Sequence, residues 1–431
     1  MCSEPSGVQT KINKPTALST YLTFLLLVGA YFFSYFFRVS ASVVLPQLAA
    51  DWKLSASLTG FISSLYFYAY ALMQPVSGAL NDRFGPTRVV SAGITVTAVG
   101  AGLFALGANP LAIALGRLLT GLGLAPMLSG VLVYQAESFP KQRYAFFSGI
   151  TYTVGNLGAV ASVTPLGAAL DVWGRFAVFT ALACLNLTLA MLLIYTRDSD
   201  PVANRIQYSA VTIHGIWRQL QDAFTLILCS RQLRSMSIIW ATSLGSLLAL
   251  QGLWAVSWFQ SAYSVQQASA RFWATFIGIG VMVGNYIGGH LAPSPSQRKA
   301  AISGATLAYA ATYIVLVTAI ALHWPLVVVG VLGFLLGASA GISHDHLTAG
   351  VNDIATKGRG GALFGAMNLF TFTGVIIFQW GTGALLSFFS SDAAGFFSSA
   401  GYLWVFTAVA VLVGLSCLAL LHLDAFADKM D

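Results

Sequence analysis

The residues able to do chemistry are few in this sequence, and most of them lie in apolar surroundings. In YFFSYFFRVSAS, Tyr31 to Ser42, Arg38 interrupts a run otherwise apolar enough for a membrane. A charge at membrane depth costs at least about 2.5–3.5 kcal/mol on insertion scales, so it is expected to face water or a partner. At helical spacing Arg38 shares a face with Tyr31, Tyr35 and Ser42, and its helix carries no carboxylate. The planar guanidinium fork suits a carboxylate or phosphate brought by a ligand. Snorkelling toward the interface, or a bond to helix backbone, is the competing use.

A second group lies in GISHDHLTAG, where Asp345 is the sole carboxylate within an apolar segment and is flanked by His344 and His346. A buried aspartate or a histidine can carry a transported proton. A gate in which Asp345 pairs with a loop arginine is the alternative. Adjacent residues point to different sides of a helix and cannot converge on one ion, so no metal is expected. Arg117, in GRLLTGLGLAP, either braces a helix bend or takes part in transport. No nucleophile–base set, Walker loop, GxSxG elbow or HExxH occurs, so neither enzyme chemistry nor a cofactor is expected.

The elements that must position these residues are membrane helices. The chain has 431 residues, 57% hydrophobic and 8% charged, with a mean hydropathy of +0.77, whereas soluble domains carry about 25% charged residues. Apolar runs of the roughly 20 residues needed to cross a bilayer recur along the chain. They predict twelve spans, over 20–45, 56–79, 89–108, 111–134, 146–170, 176–195, 236–262, 271–291, 300–322, 325–348, 360–388 and 400–422. The first is too long for a signal-peptide core and lacks a cleavage pattern, so it is read as a retained helix. Cys2, Cys184, Cys229 and Cys417 show no CxxC or metal-ligand spacing, and disulfides are not expected.

Basic residues set the expected orientation. With both termini inside, the cytoplasmic side holds Lys11, Lys14, Arg83, Arg88, Lys141, Arg143, Arg197, Arg205, Arg218, Arg231, Arg234, Arg298, Lys299, Lys357, Arg359 and Lys429. The far side holds only Lys53, Arg175 and Arg271. The net charge of +7 therefore reflects topology, and nucleic-acid binding is not implied. A polar connection from Arg197 to Arg234 divides the chain into halves that repeat. An offset of 216 places Glu137, Arg143, Gly149, Gly158 and Gly167 over Asp353, Arg359, Gly365, Gly374 and Gly383. An offset of 211 places Gly78, Leu80, Arg88 and Gly93 over Gly289, Leu291, Lys299 and Gly304. Two repeated six-helix halves are an architecture of alternating-access transporters.

Between the second and third spans, GALNDRFGPTRVV carries Gly78, Leu80, Asp82, Arg83, Gly85 and Arg88. It resembles the signature loop of the major facilitator superfamily, with Pro86 where that family usually has a basic residue. The loop glycines permit a tight turn, and Asp82 and the arginines are expected to pair with each other or with helix ends. Arg117, Gly121 and Gly123 resemble the family's fourth-helix pattern. The fifth helix lacks the Gly-Pro pair of the drug/proton antiporters, since Ala159 follows Gly158. Arg38 in YFFRVSASVVLP is similar to the first-helix arginine of the organic-anion branches, the organophosphate:phosphate antiporters and anion:cation symporters, where it binds the anion. The seventh helix, LQGLWAVSWFQ, lacks the second arginine of the phosphate antiporters.

The resemblance implies an all-α membrane fold of two pseudo-symmetric six-helix bundles around a central cavity. It divides the chain into a tail (1–19), a first bundle (20–196), a linker (197–235), a second bundle (236–423) and a tail (424–431). Polar stripes fall on the helices that line the cavity in that family. They offer Arg38, Tyr31, Tyr35, Tyr66, Tyr70, Gln74, Tyr152, Asn156, Gln251, Trp254, Trp258, Asn285 and Asn368 as substrate contacts. Trp254 and Trp258 point to aromatic walls suited to a carboxylate with an apolar or ring-bearing body, with ordinary packing as the alternative. The expectation is a monomeric carrier in a bacterial inner membrane that moves a small organic anion, with protons as coupling partner. An exporter of the same fold and a carrier-like sensor are the other classes.

Overall fold

The computed structural model describes residues 17–107, 109–196, 213–290, 294–354, 360–389, 397–424 and 426. Lys11, Lys14, Arg197, Arg205, Lys357, Arg359 and Lys429 fall outside them. The described residues form helices and no strand, as the bilayer requires of an open chain that must satisfy its own backbone.

Several expected spans are helices with interruptions. The first is α1 (Ala17–Val39) and α2 (Ala41–Asp51), broken at Ser40. The second and third are α3 (Ala56–Phe84) and α4 (Pro86–Leu106), joined at Gly85, whose φ of 85 explains the glycine. The fourth is α5 (Pro110–Leu124) and α6 (Met127–Ser138), separated at Ala125-Pro126. The fifth runs through α7 (Tyr144–Ala161) into α8 (Thr164–Tyr195), which bends at Gly174 (φ 72) and continues as the sixth. Starts are set by polar caps: the Leu58 N–H donates to Ser55 Oγ (3.2 Å) and the Ala112 N–H to Asn109 Oδ1 (2.9 Å).

The connection between the halves is more than a polar link, because it contains α9 (Ile213–Cys229). Ala223 and Ile227 of α9 are buried, and Phe224 packs 5.1 Å from the ring of Phe370. That apolar face is hidden in the average composition of the segment. The second half comprises α10 (Arg231–Ala249), a π-helical turn (Leu250–Trp254) and α11 (Ala255–Tyr263) as the seventh span. Then follow α12 (Gln267–His290), α13 (Pro295–Ala321), α14 (Leu326–Ile354), α15 (Gly360–Ser387) and α16 (Ser399–Ser416). Among the described residues, ten helical segments are long and apolar enough to cross a membrane. The second and fifth spans, α3 and α7, are diluted by Ser, Thr, Tyr, Asn and Gly that face other helices.

The halves meet most extensively along α3 and α15, where small residues let backbones touch. A Cβ on Gly383 would lie 2.5 Å from the Ala56 carbonyl oxygen, and one on Gly60 would lie 2.6 Å from that of Gln379. Among the described residues, five side-chain hydrogen bonds, two of them in one ion pair, cross between the halves toward the end opposite the Gly78–Arg88 hairpin. Gln47 donates to Gln267 (3.0 Å), Ser63 to Gln379 (2.8 Å), and Thr164 meets Thr275 (2.7 Å). Arg271 forks onto both Asp171 oxygens (2.8 and 2.9 Å). Arg271, expected as a loop cation, is therefore buried between the halves at 2% exposure.

Arg117 is a structural brace. Its Nη1 donates to the Phe37 carbonyl (2.7 Å) and its Nη2 to the Ser63 carbonyl (2.8 Å). The α1–α2 break leaves the Phe37 carbonyl to side-chain donors. Each bond to a charged donor is worth about 1.5–3 kcal/mol, so Arg117→Leu is expected to lower the thermal unfolding temperature in detergent, with partial recovery in Arg117→Lys. Unchanged unfolding in Arg117→Leu, read by intrinsic fluorescence, would reassign Arg117 to transport.

Candidate functional site

Arg38 stands one residue beyond the Phe37 carbonyl that Arg117 braces, so its side chain is set by the break in the first span. Its guanidinium carbon lies 4.5 Å from the ring centroid of Tyr35, 5.1 Å from Tyr70 and 5.5 Å from Phe372. It is 6% exposed and, among the described residues, has no hydrogen bond or ion pair; Nε is buried without a partner. The cation thus rests among ring faces from α1, α3 and α15. A cation–π contact is worth about 0.5–2 kcal/mol, whereas an uncompensated buried charge costs several.

Tyr31 continues the aromatic wall, edge-on to Tyr35 (5.4 Å) and to Tyr152 of α7 (6.5 Å). Arg38, Tyr31, Tyr35, Tyr70 and Tyr152 are therefore brought together. Tyr66 stands behind them, its hydroxyl donating to the Ser34 carbonyl (3.0 Å) and its ring under Arg117 (4.9 Å). Asn156 turns back on its own helix, donating to the Tyr152 carbonyl (2.9 Å), and Gln74 reaches the Ala125 carbonyl (3.4 Å) at the α5–α6 break. Gln251, on the π-helical turn, abuts Gly278 of α12, and Asn285 abuts Gly341 of α14. Asn368 is half-buried on α15, one helical turn before Phe372.

The two tryptophans lie elsewhere. Trp258 stacks on Phe406 of α16 (4.5 Å between centroids, 9° between planes). Trp254 donates to Thr382 (3.0 Å) and packs edge-on against Phe397 and Tyr402. Both are spent on packing the seventh span to its neighbours in the second half. The aromatic wall near Arg38 is instead tyrosine plus Phe372, a residue whose type and position carry no signal in an apolar helix.

His344, Asp345 and His346 diverge. His344 shares a hydrogen bond with Ser243 of α10 (3.0 Å), and His346 is buried at 4% exposure. Asp345 lies against Gly288 of α12, its Oδ2 being 3.0 Å from where a Cβ there would sit. It makes no hydrogen bond or ion pair among the described residues, and Tyr152 lies within electrostatic reach of both Asp345 and Tyr35. In the signature hairpin, beyond the spanning part of α3, Asp82 forms no ion pair with Arg83 or Arg88. Burial and the neighbouring Glu137 charge hold its carboxyl above the usual range, and Arg83 lies over the Phe84 ring at 5.2 Å. The pairing expected of Asp82 is thus not made among the described residues.

Two sets of membrane-spanning helices joined by polar contacts toward one end have the architecture of a membrane carrier. The sequence profile of the Major Facilitator Superfamily matches residues 27–379, and the chain belongs to that family. It is 25% identical over 293 residues to the uncharacterized transporter YybO of Bacillus subtilis, covering 66% of this chain and 67% of that protein. It is 26% identical over 203 residues to the probable sulfoacetate transporter SauU of Cupriavidus necator, covering 45% and 46%. It is 30% identical over 145 residues to the multidrug resistance protein MdtG of Erwinia billingiae, covering 33% and 34%. The matches to SauU and MdtG span less than half of those proteins. A crystal structure of the nucleoside transporter NupG shares the fold, with a TM-score of 0.74 over 94% of this chain and 99% of that one at 14% identity.

If the cage around Arg38 is the binding site, Phe372→Ala and Tyr70→Ala should each weaken affinity for the transported acid about tenfold, the scale of one desolvated cation–π contact. Trp258→Phe should leave affinity unchanged and lower thermal stability. Equal affinity losses in all three, measured by concentration-dependent uptake, would place the site elsewhere.

Proposed function

We propose that this protein is a secondary transporter of a small organic anion, a carboxylate with an apolar or ring-bearing body, working by alternating access. The observation that carries the reading is Arg38, a buried guanidinium with no anionic partner among the described residues and rings of Tyr35, Tyr70 and Phe372 around it. A ligand carboxylate would take the free guanidinium edge, and its body would lie among the rings. Neither α10–α11 nor α15 brings a second basic side chain to the cage, which favours a single negative charge over a phosphate. The resemblance to a probable sulfoacetate transporter, a protein named for an organic anion, supports the anionic class of the substrate and not the single charge.

The end carrying Arg83, Arg88, Arg143, Arg298 and Lys299 is taken as cytoplasmic, by the preference of basic loops for that side. Both termini are then cytoplasmic and the membrane is a bacterial inner membrane. The polar contacts that join the halves are at the outer end, so the state described is taken as the one closed to the outside. Residues 20–196 and 236–423 would move as the two rocking units. Asp345, unpaired and near Tyr152, is the group proposed to take up and release the driving proton, with His344 held by Ser243 beside it.

Accumulation of radiolabelled mono- and dicarboxylates, sugar acids and phosphate esters in cells and in proteoliposomes, with and without a proton gradient, tests the function. A proton-dependent carboxylate uptake is expected; extrusion from right-side-out cells would favour the export activity suggested by the likeness to MdtG. Arg38→Gln is expected to abolish binding while the protein stays inserted and folded, and unchanged affinity in that variant would make Arg38 structural.

For coupling, Asp345→Asn should remove accumulation against a gradient and preserve exchange at equal concentrations, because exchange need not release the proton. Parallel loss of both would make Asp345 a gate. Net uptake with its full pH profile in Asp345→Asn, and also in the variant lacking His344 and His346, would remove this region from coupling.

A further inference from the structure

Two spans related by the internal repeat, the first and the seventh, are both irregular at the middle of the molecule. The first breaks at Ser40 and the seventh passes into its π-helical turn at Leu250. At each place a buried side chain from another helix supports a backbone carbonyl. The Phe37 carbonyl accepts from Arg117 (2.7 Å), and the Leu248 carbonyl accepts from Gln379 Nε2 (3.0 Å). Phe37 and Leu248 lie 211 residues apart, the offset that places Gly78–Gly93 over Gly289–Gly304. Their donors do not follow that offset, since Arg117 belongs to the fourth span and Gln379 to the eleventh.

The two supports are joined to each other through one residue. Arg117 Nη2 donates to the Ser63 carbonyl (2.8 Å), and the Ser63 hydroxyl donates to Gln379 Oε1 (2.8 Å). Arg117, Ser63 and Gln379 are 1%, 0% and 0% exposed, so the chain of bonds is shielded from competing water. It runs from the break beside Arg38, through α5 and α3, to α15 and the turn that bears Gln251. Gly252 of that turn closes the arrangement: a Cβ there would lie 3.3 Å from Gln379 Nε2 and 3.8 Å from the Arg38 carbonyl oxygen. The chain thus lies over the Arg38 cage on the side where the halves are closed.

Of these bonds only Ser63 to Gln379 crosses between the halves; the others lie within one half. We infer that this hydrogen bond is the releasable link of the outer gate, and that Ser63 and Gln379 are positioning residues that set the balance between the two access states. When the halves part here, the Ser63 hydroxyl can turn to a carbonyl of its own helix, as serines in helices do, and Gln379 Oε1 can take water from the opened cleft. The supports at Phe37 and Leu248 persist through the change. The irregular segments are therefore carried intact, while the contact between them is made and broken. The inference stands on the inter-half contact and is independent of which anion, if any, Arg38 holds.

The test reads outer-end accessibility without any substrate. Ala56, fully buried under Gly383 at the start of α3, is replaced by cysteine in a full-length chain whose four native cysteines are serine, and labelling by a membrane-impermeant maleimide is followed in intact cells. Ser63→Ala is expected to speed labelling about fivefold, the scale on which one net hydrogen bond moves an equilibrium. Gln379→Leu should also speed it, and adding Ser63→Ala to Gln379→Leu should give no further increase. An unchanged rate in Ser63→Ala, or an equal acceleration by Ser63→Ala in both backgrounds, would overturn the inference. Should Gln379→Leu fail to fold, Ser63→Thr decides: it keeps the hydroxyl and must retain the slow parental rate, and labelling as fast as in Ser63→Ala would overturn the link.

Discussion

Inside a bilayer no water is at hand to satisfy a broken helix, and this constraint organises the middle of the protein. A transporter needs irregular backbone near its site so that side chains can be aimed inward and helices can bend. Each irregularity then needs a buried donor from elsewhere. Arg117 serves that need at Phe37 and Gln379 serves it at Leu248. The two arginines of the first half are separated by this logic. Arg117 gives one N–H of each Nη to a backbone carbonyl, whereas Arg38, next to the carbonyl that Arg117 holds, has ring faces around it and no hydrogen bond among the described residues.

The asymmetry between the ends follows from where polar contacts cross between the halves. Toward the end opposite the Gly78–Arg88 hairpin they comprise, among the described residues, a bidentate ion pair, two neutral side-chain pairs and the Ser63–Gln379 bond, over close-packed α3 and α15. These are strong enough to hold a state and weak enough to exchange, since each neutral bond contributes only about 0.5–1.5 kcal/mol net. A fully apolar seam would offer no such discrete release points. The ion pair differs from the rest in leaving Asp171 half-exposed, so that water reaches it first.

The tyrosine cage also has an energetic meaning. Phenol rings hold a cation without neutralising it, which softens the cost of burying Arg38. Phe372 makes the cage a property of both halves. An anion bound to Arg38 would therefore sit where the two bundles meet, the placement from which binding can bias their relative position.

The sequence by itself determined the membrane class, the all-helical fold and the family. Hydrophobic length, glycine at the hairpin and the Gly78–Arg88 spacing are all local properties. It also singled out Arg38 with Tyr31, Tyr35, Tyr70 and Tyr152, because a charge on an apolar helix is conspicuous and helical periodicity finds its own face. Only the tertiary structure decided which polar residues are used elsewhere: Tyr66 on Ser34, Asn156 on its own backbone, Trp254 and Trp258 against α16. Helical spacing gives a residue's face but not what covers that face. For the same reason Phe372, the Asp171–Arg271 pair and the Ser63–Gln379 bond were hidden, since each joins helices from different halves and no local pattern encodes a crossing that packing alone brings about.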